Sequence, residues 1–344
     1  MGTQHPVATT EPPSTPPTGH TEGGDSTAGS WLSPYIQIAR PDHWFKNVFV
    51  LPGIALGLLM SGRGLAAPVW PSIAALVATC MIASANYTIN EFLDAEYDRH
   101  HPVKKDRSSA KGLVKARSVA LQYLLLTVVG LGLAVSINPL LLASCALLLF
   151  MGIIYNVRPM RSKDRVYLDV VSESVNNPIR LLIGWSVVIQ DGLPPSSIML
   201  AYWFGGAFLM AMKRYSEYQS IGDPAIAGQY RRSFRFYTPE KLLISSFFYA
   251  LNSAFFLGIF LIKYRLEFIL SFPLFSLLFA WYLAIALRQG SVAQTPEKLY
   301  RERGFVLFNF ILVLVVTGLL LFDIPALRFL GNHETVSIEG LLGH

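Results

Sequence analysis

Apolar residues run in long blocks through this chain, separated by short polar segments that are mostly basic. Nine blocks reach or approach the roughly 20 residues a helix needs to cross a hydrocarbon core. They are 44–62, 66–90, 116–135, 139–155, 166–190, 196–218, 240–262, 267–288 and 304–322. The fourth is short and the fifth carries charge, so their ends are the softest. The pattern predicts an all-α integral membrane protein, because a helix satisfies every backbone N–H and C=O within the segment that lipid surrounds. Residues 1–30 break the pattern. Pro12-Pro13-Ser14-Thr15-Pro16-Pro17 and Gly23-Gly24-Asp25-Ser26 belong to a tail too poor in apolar surface to order itself. The expected organisation is a disordered tail (1–30), a membrane domain (31–323) and a C-terminal tail (324–344).

Composition agrees: 52% hydrophobic, 15% charged, mean hydropathy +0.43. Those values exclude an ordinary soluble enzyme. Cys80 and Cys145 fall inside apolar blocks without metal-ligand spacing and read as small buried hydrophobes. Most of the 28 Lys and Arg residues fall in the loops after blocks 2, 4, 6 and 8, against Arg63, Lys263, Arg265 and Arg328 on the other side. The positive-inside rule then places the amino terminus and those loops in the cytoplasm of a plasma-membrane protein. The net charge of +6 is a topology signal, and nothing argues for nucleic acid.

Against this background, Asn90-Glu91-Phe92-Leu93-Asp94-Ala95-Glu96-Tyr97-Asp98 stands out. On a helix, Asn90, Asp94 and Asp98 line one face a turn apart. Carboxylates beside a spanning segment cost about 2.5–3.5 kcal/mol each on insertion scales and are usually functional. Such a ladder can hold Mg²⁺, which takes protein carboxylates and completes its shell with water and phosphate oxygens. A basic run containing Lys104 and Arg107 follows directly.

Further groups fall on the same side. Lys46 and Asn47 lie just inside Trp44, where a lysine must snorkel or meet an anion. Lys213-Arg214-Tyr215-Ser216-Glu217 closes block 6, with Arg231, Arg232 and Arg235 around the same connection. Arg offers a planar fork to phosphate and Lys a point charge; Lys213 and Glu217 could instead pair. Within block 5, Asp169, Glu173, Asn176, Asn177 and Arg180 predict a polar stripe facing an interior cavity that Tyr167 and Glu217 also line, with Pro178 interrupting the helix; the alternative is an internal ion pair such as Glu173–Arg180. The charged segment 296–303 reads as a loop of low weight. No Gly-rich phosphate loop, zinc-type His cluster or Ser-His-Asp set is present.

With the ladder after the second block of nine, the chain resembles the UbiA-type intramembrane prenyltransferase superfamily. Within it, the likeness is to the branch of decaprenyl-phosphate phosphoribosyltransferases. The matching pieces are Arg40-Pro41-x2-Trp44-x-Lys46-Asn47, the ladder with His101-Pro102-x-Lys104, Lys213-Arg214-Tyr215-x-Glu217, and Tyr237-Thr238-Pro239-Glu240. Departures are Glu91 where the superfamily usually has Asp, Lys105-Asp106-Arg107-Ser108 after the His-Pro piece, and an unusually polar block 5. The resemblance implies a nine-helix barrel with a cytoplasm-facing polar cavity. It implies Mg²⁺ on Asn90, Asp94 and Asp98, with Lys46, Asn47, Lys104, Arg107, Lys213, Arg214 and Arg231 on substrate phosphates. The expected substrates are phosphoribosyl diphosphate and a polyprenyl phosphate lipid, and a homo-oligomer remains an option. The alternatives are prenyl transfer from a prenyl diphosphate to an aromatic or lipid acceptor, and non-catalytic transport of an anionic lipid.

Overall fold

The computed structural model describes residues 31–62, 68–101, 104–264, 266–322, 324, 325 and 327. The expected N-terminal tail, the expected C-terminal tail apart from 324, 325 and 327, and Arg63, Pro102, Arg265 and Arg328 lie outside the described residues. Described residues form twelve α-helices and no strand. In chain order these are α1 (Ser33–Ala39), α2 (Leu51–Ser61), α3 (Val69–Asp98), α4 (Ala116–Val135), α5 (Pro139–Asn156), α6 (Leu168–Ser174), α7 (Asn176–Val188), α8 (Ser196–Ile221), α9 (Pro224–Tyr230), α10 (Pro239–Tyr264), α11 (Phe272–Ala286) and α12 (Arg303–Leu321). Each apolar block therefore coincides with helix. Among the described residues, six helical segments are long and apolar enough to cross a membrane: 33–61, 69–98, 116–135, 139–156, 239–264 and 266–286.

The bundle is built inside out. On α4, Leu121, Leu124, Leu125, Val128 and Val129 form an exposed stripe at helical spacing, as do Ile244, Phe247, Phe248, Leu251 and Phe255 on α10. Continuous apolar faces of this kind suit lipid rather than water. Small residues let helices approach inside. A Cβ on Gly53 of α2 would lie 2.0 Å from the Leu181 carbonyl oxygen of α7, and one on Gly184 would lie 1.9 Å from that of Val50. Only glycine permits such contact between two backbones.

Two expectations about block boundaries need correction. The second block continues as one helix through the ladder to Asp98, so the acids stand on the spanning helix itself. The fifth is two helices meeting at Val175. Pro178 has no N–H to donate to Ser174, four residues earlier, and α6 ends at Ser174. The polar stripe is thus divided between α6 and α7.

Candidate functional site

The ladder end of α3 meets the α5–α6 loop, the ends of α6 and α8, α9 and the loop after α3. Asp94 Oδ1 accepts from Arg161 Nη2 at 2.8 Å and lies 2.6 Å from Lys163 Nζ. Lys163 also donates to Asn90 Oδ1 at 3.1 Å and Asn156 Oδ1 at 2.8 Å. Asp98 accepts from Arg107 Nη1 at 2.6 Å. The predicted face is formed, but each ladder residue is occupied by a cation of the chain. Asp94, Tyr97, Asp98, Arg161, Lys163, Asp164, Tyr230 and Arg231 line a cleft with about 20 Å³ of free space, little more than a water needs.

A second cluster adjoins it. Asp169 on α6 is fully buried and accepts from Tyr237 Oη at 2.7 Å and Ser233 Oγ at 3.1 Å. Arg214 and Arg231 approach the same carboxylate at 3.6 and 3.5 Å. Glu217 takes Lys104 at 2.5 Å and Arg214 at 3.2 Å, and Tyr230 donates to it at 3.0 Å. Tyr155 accepts from Arg214 at 3.1 Å. Two acids thus orient two arginines and a lysine. A buried charge must be paired and hydrogen-bonded to persist.

Several sequence expectations change here. Glu217 pairs with Lys104 and Arg214, not with Lys213. Lys213 has no hydrogen-bond or ion-pair partner among the described residues, and feels Lys46, Arg214, Glu217 and Lys104 electrostatically. The pair Glu173–Arg180 does not form: Arg180 donates to Asn47 and to the Asn176 carbonyl, and the Glu173 carboxylate has no partner among the described residues. Asn177 lies against Gly206, whose missing Cβ leaves it room. Tyr167 is largely exposed, with its ring edge-on to Tyr237, so it does not line the interior. Lys46 contacts His43 Nδ1 at 3.0 Å. Arg235 turns outward to the Gly228 carbonyl.

Sequence reasoning missed Arg161, Lys163, Tyr155, Asn156, Asp164, Tyr230 and His101 as site residues. Arg161 and Lys163 counted only as topology charges, yet both are buried. Arg161 is held at φ 28°, off the ordinary regions, with its Nη1 on the Asn156 carbonyl at 3.1 Å. Such strain persists only where surroundings over-determine it. Burial pushes the Lys163 ammonium down to about 8 against the pull of Asp94. Burial, then Lys104, pushes His101 down to about 4, so its 3.8 Å approach to Glu217 is not an ion pair at neutral pH.

The donor set suits Mg²⁺ as a partial shell. Asn90, Asp94 and Asp98 supply hard oxygens, and Lys163 Nζ already sits as a cation between Asn90 and Asp94. Among the described residues no three His, Cys, Asp or Glu converge into a complete metal cage. Water and substrate oxygens would have to fill the remaining positions.

A profile of the UbiA prenyltransferase family matches residues 50–314. The chain belongs to that family. It is 31% identical over 233 residues to the decaprenyl-phosphate phosphoribosyltransferase of Mycolicibacterium smegmatis, covering 64% of this chain and 69% of the relative. It is 26% identical over 184 residues to a protoheme IX farnesyltransferase of Macrococcus caseolyticus, covering 51% and 58%. The fold matches a UbiA homolog from Archaeoglobus fulgidus bound to DMAPP and Mg²⁺, with TM-score 0.63, 20% identity, and coverage of 81% and 99%. This UbiA-family chain is therefore a multi-pass membrane protein of a transferase family.

Proposed function

We propose that the protein transfers 5-phosphoribose from phosphoribosyl diphosphate to a polyprenyl phosphate, releasing diphosphate, with Mg²⁺ held by Asn90, Asp94 and Asp98. The observation that carries this reading is the end of α8. Lys213 and Arg214 stand there beside Lys104 and Arg231, with Glu217 as the one carboxylate on that turn. Cations there suit direct contacts to phosphate, whereas a second acidic ladder would suit a second metal. The 31% likeness to a decaprenyl-phosphate phosphoribosyltransferase supports the same branch.

When bound, Mg²⁺ would supply Lewis-acid stabilisation of the charge on the diphosphate. The chain's own residues do the remaining work. Arg107, Arg161 and Lys163, now paired with the ladder, would turn their N–H groups to diphosphate oxygens, where preorganised donors stabilise developing charge. The bond from ribose C1 to diphosphate oxygen breaks, and the electron pair leaves with the diphosphate. An oxygen of the acceptor phosphate forms the new bond to C1. A phosphate monoester is largely dianionic at neutral pH, with a second pKa of about 6, so no side chain has to remove a proton. The framework proposed for this chemistry is nine membrane helices around a cavity open to the cytoplasm, in the plasma membrane.

The second reading is prenyl transfer, favoured by the DMAPP-bound structural neighbour and the farnesyltransferase relative. One assay separates them. Purified protein with labelled phosphoribosyl diphosphate, Mg²⁺ and polyprenyl phosphate should yield lipid-extractable label, lost with EDTA. Lys213→Ala removes an unpaired charge and should raise the apparent KM for phosphoribosyl diphosphate roughly tenfold or more while sparing that for the lipid. No label transfer, with consumption of a prenyl diphosphate instead, overturns the proposal.

A further inference from the structure

Among the described residues, Arg180 is a buried cation without a counter-charge. It lies on α7, 8% exposed. Its Nε donates to Asn47 Oδ1 at 3.0 Å and its Nη1 to the Asn176 carbonyl at 3.3 Å; both acceptors are neutral. Among the described residues no carboxylate is within ion-pair reach, and Nη2 has no acceptor. The other buried basic groups nearby are treated differently. Arg161 and Lys163 rest on Asp94, and Arg214 rests on Asp169 and Glu217.

Its depth separates it from the ladder. Asn47, which holds Arg180, also donates to Cys80 Sγ at 3.2 Å. Cys80 precedes Asn90 on α3 by ten positions, about 15 Å of helix. The surroundings are polar and incompletely satisfied. Asn176 Oδ1 is buried without a partner. Lys46, next to Asn47 in the chain, and Lys213 repel each other electrostatically.

An ionised side chain taken from water costs several kcal/mol unless something compensates it. Inside a membrane bundle such a residue marks a ligand path or has a partner. The described residues supply no anionic partner, which leaves that role to a ligand. A guanidinium held at Nε by an amide and at Nη1 by a carbonyl still has Nη2 and the second N–H of Nη1 to offer the oxygens of an anion. We infer that Arg180, oriented by Asn47, is a subsite for a phosphate monoester, distinct from the diphosphate position at Asp94 and Asp98. This deepens the proposed function and rests on it for the identity of the two sources: the 5-phosphate of the soluble donor, or the head group of the lipid acceptor.

Binding to the purified full-length protein tests it without turnover. Ribose 5-phosphate and a short-chain prenyl monophosphate are titrated separately into wild type, Arg180→Gln and Arg180→Lys, with Mg²⁺-dependent pyrophosphate binding as the reference. One monoester should lose about tenfold or more in affinity in Arg180→Gln and regain part of it in Arg180→Lys. Pyrophosphate should change by less than about twofold, since it reports the ladder. Sensitivity of ribose 5-phosphate assigns Arg180 to the donor; sensitivity of the prenyl monophosphate assigns it to the acceptor. If both monoesters bind wild type and Arg180→Gln alike, or bind neither, the inference is overturned and Arg180 only supports Asn47. Should Arg180→Gln not fold, Asn47→Ala replaces it, and an unshifted affinity there also counts against the subsite. Transfer from phosphoribosyl diphosphate is measured in parallel. Its absence, with Arg180-dependent monoester binding intact, refutes the reaction and retains the subsite.

Discussion

Lys163 holds Asp94 at 2.6 Å with the same ammonium that donates to Asn90, so a protein cation stands where the ladder would coordinate a metal. Metal binding at these oxygens therefore competes with Lys163. In Lys163→Gln the competition disappears, and Mg²⁺ or Mn²⁺ measured without substrate should bind several-fold more tightly. Turnover should nevertheless fall, because the phosphate contact proposed for Lys163 would be lost with the same side chain. Unchanged metal affinity in the variant would show that metal goes elsewhere.

Asp94→Asn tests the other partner. It leaves Lys163 and Arg161 buried with one counter-charge fewer, and breaking a buried pair from one side costs about 3–5 kcal/mol when fully enclosed. Asp94 retains some exposure, so the expected loss is smaller, on the order of 1–3 kcal/mol. Thermal unfolding in detergent should register this, and turnover should vanish. An active Asp94→Asn protein would remove Asp94 from the metal site.

The ladder was legible because Asp94 and Asp98 are acids on an apolar helix, where hydrophobic periodicity offers them no ordinary role. Arg161 and Lys163 were not, since a basic residue in a positive loop reads the same whether solvated or folded inward. Their burial depends on Asn156 and Asp94 reaching them from other segments, which no local pattern records. Likewise Pro178 announces a break, but the assignment of Arg180 to Asn47 rather than Glu173 follows from how α7 packs on the segment before α2. The nine apolar blocks located helix well because lipid-facing and core-facing residues are both apolar.

The contact of α2 with α7 predicts a stability defect unrelated to chemistry. A methyl on Gly53 or Gly184 would meet backbone oxygens at 2.0 and 1.9 Å, and neither backbone can give way without separating the helices. Overpacking of this kind costs about 1–3 kcal/mol or more. Gly53→Ala and Gly184→Ala should each lower the Tm in detergent. Gly132→Ala, which has open space around it, should be neutral or slightly stabilising. Equal Tm values for all three would mean that α2 and α7 are not in backbone contact.

His101 predicts a pH dependence. Burial, then Lys104, lowers it from the ordinary 6.5 to about 4. Between those values the unfolded chain binds the proton and the folded chain does not, so acid favours unfolding. The contribution is fully present above about pH 6.5 and is lost as pH falls toward 4. His101→Gln should flatten the Tm profile across that window relative to wild type and leave the profile above pH 7 unchanged. Parallel profiles for the two proteins would show that His101 is not held neutral.

The last prediction concerns orientation, on which access of a soluble phosphate donor depends. The ladder, Arg161, Lys163 and Arg231 gather at one end of the bundle, and the basic loops that the positive-inside rule assigns to the cytoplasm are the same loops. Lys105 and Arg232 are exposed at that end, and Lys263 is exposed at the end of α10. The native cysteines give little background, because Cys145 is buried and Cys80 accepts a hydrogen bond from Asn47 inside the bundle. Single cysteines at 105 and 232 should therefore resist a membrane-impermeant maleimide in intact cells and react after permeabilisation, while one at 263 should react from outside. The reverse pattern would open the site away from the cytoplasm. A cytosolic sugar diphosphate could not then be its donor, whatever the ladder binds.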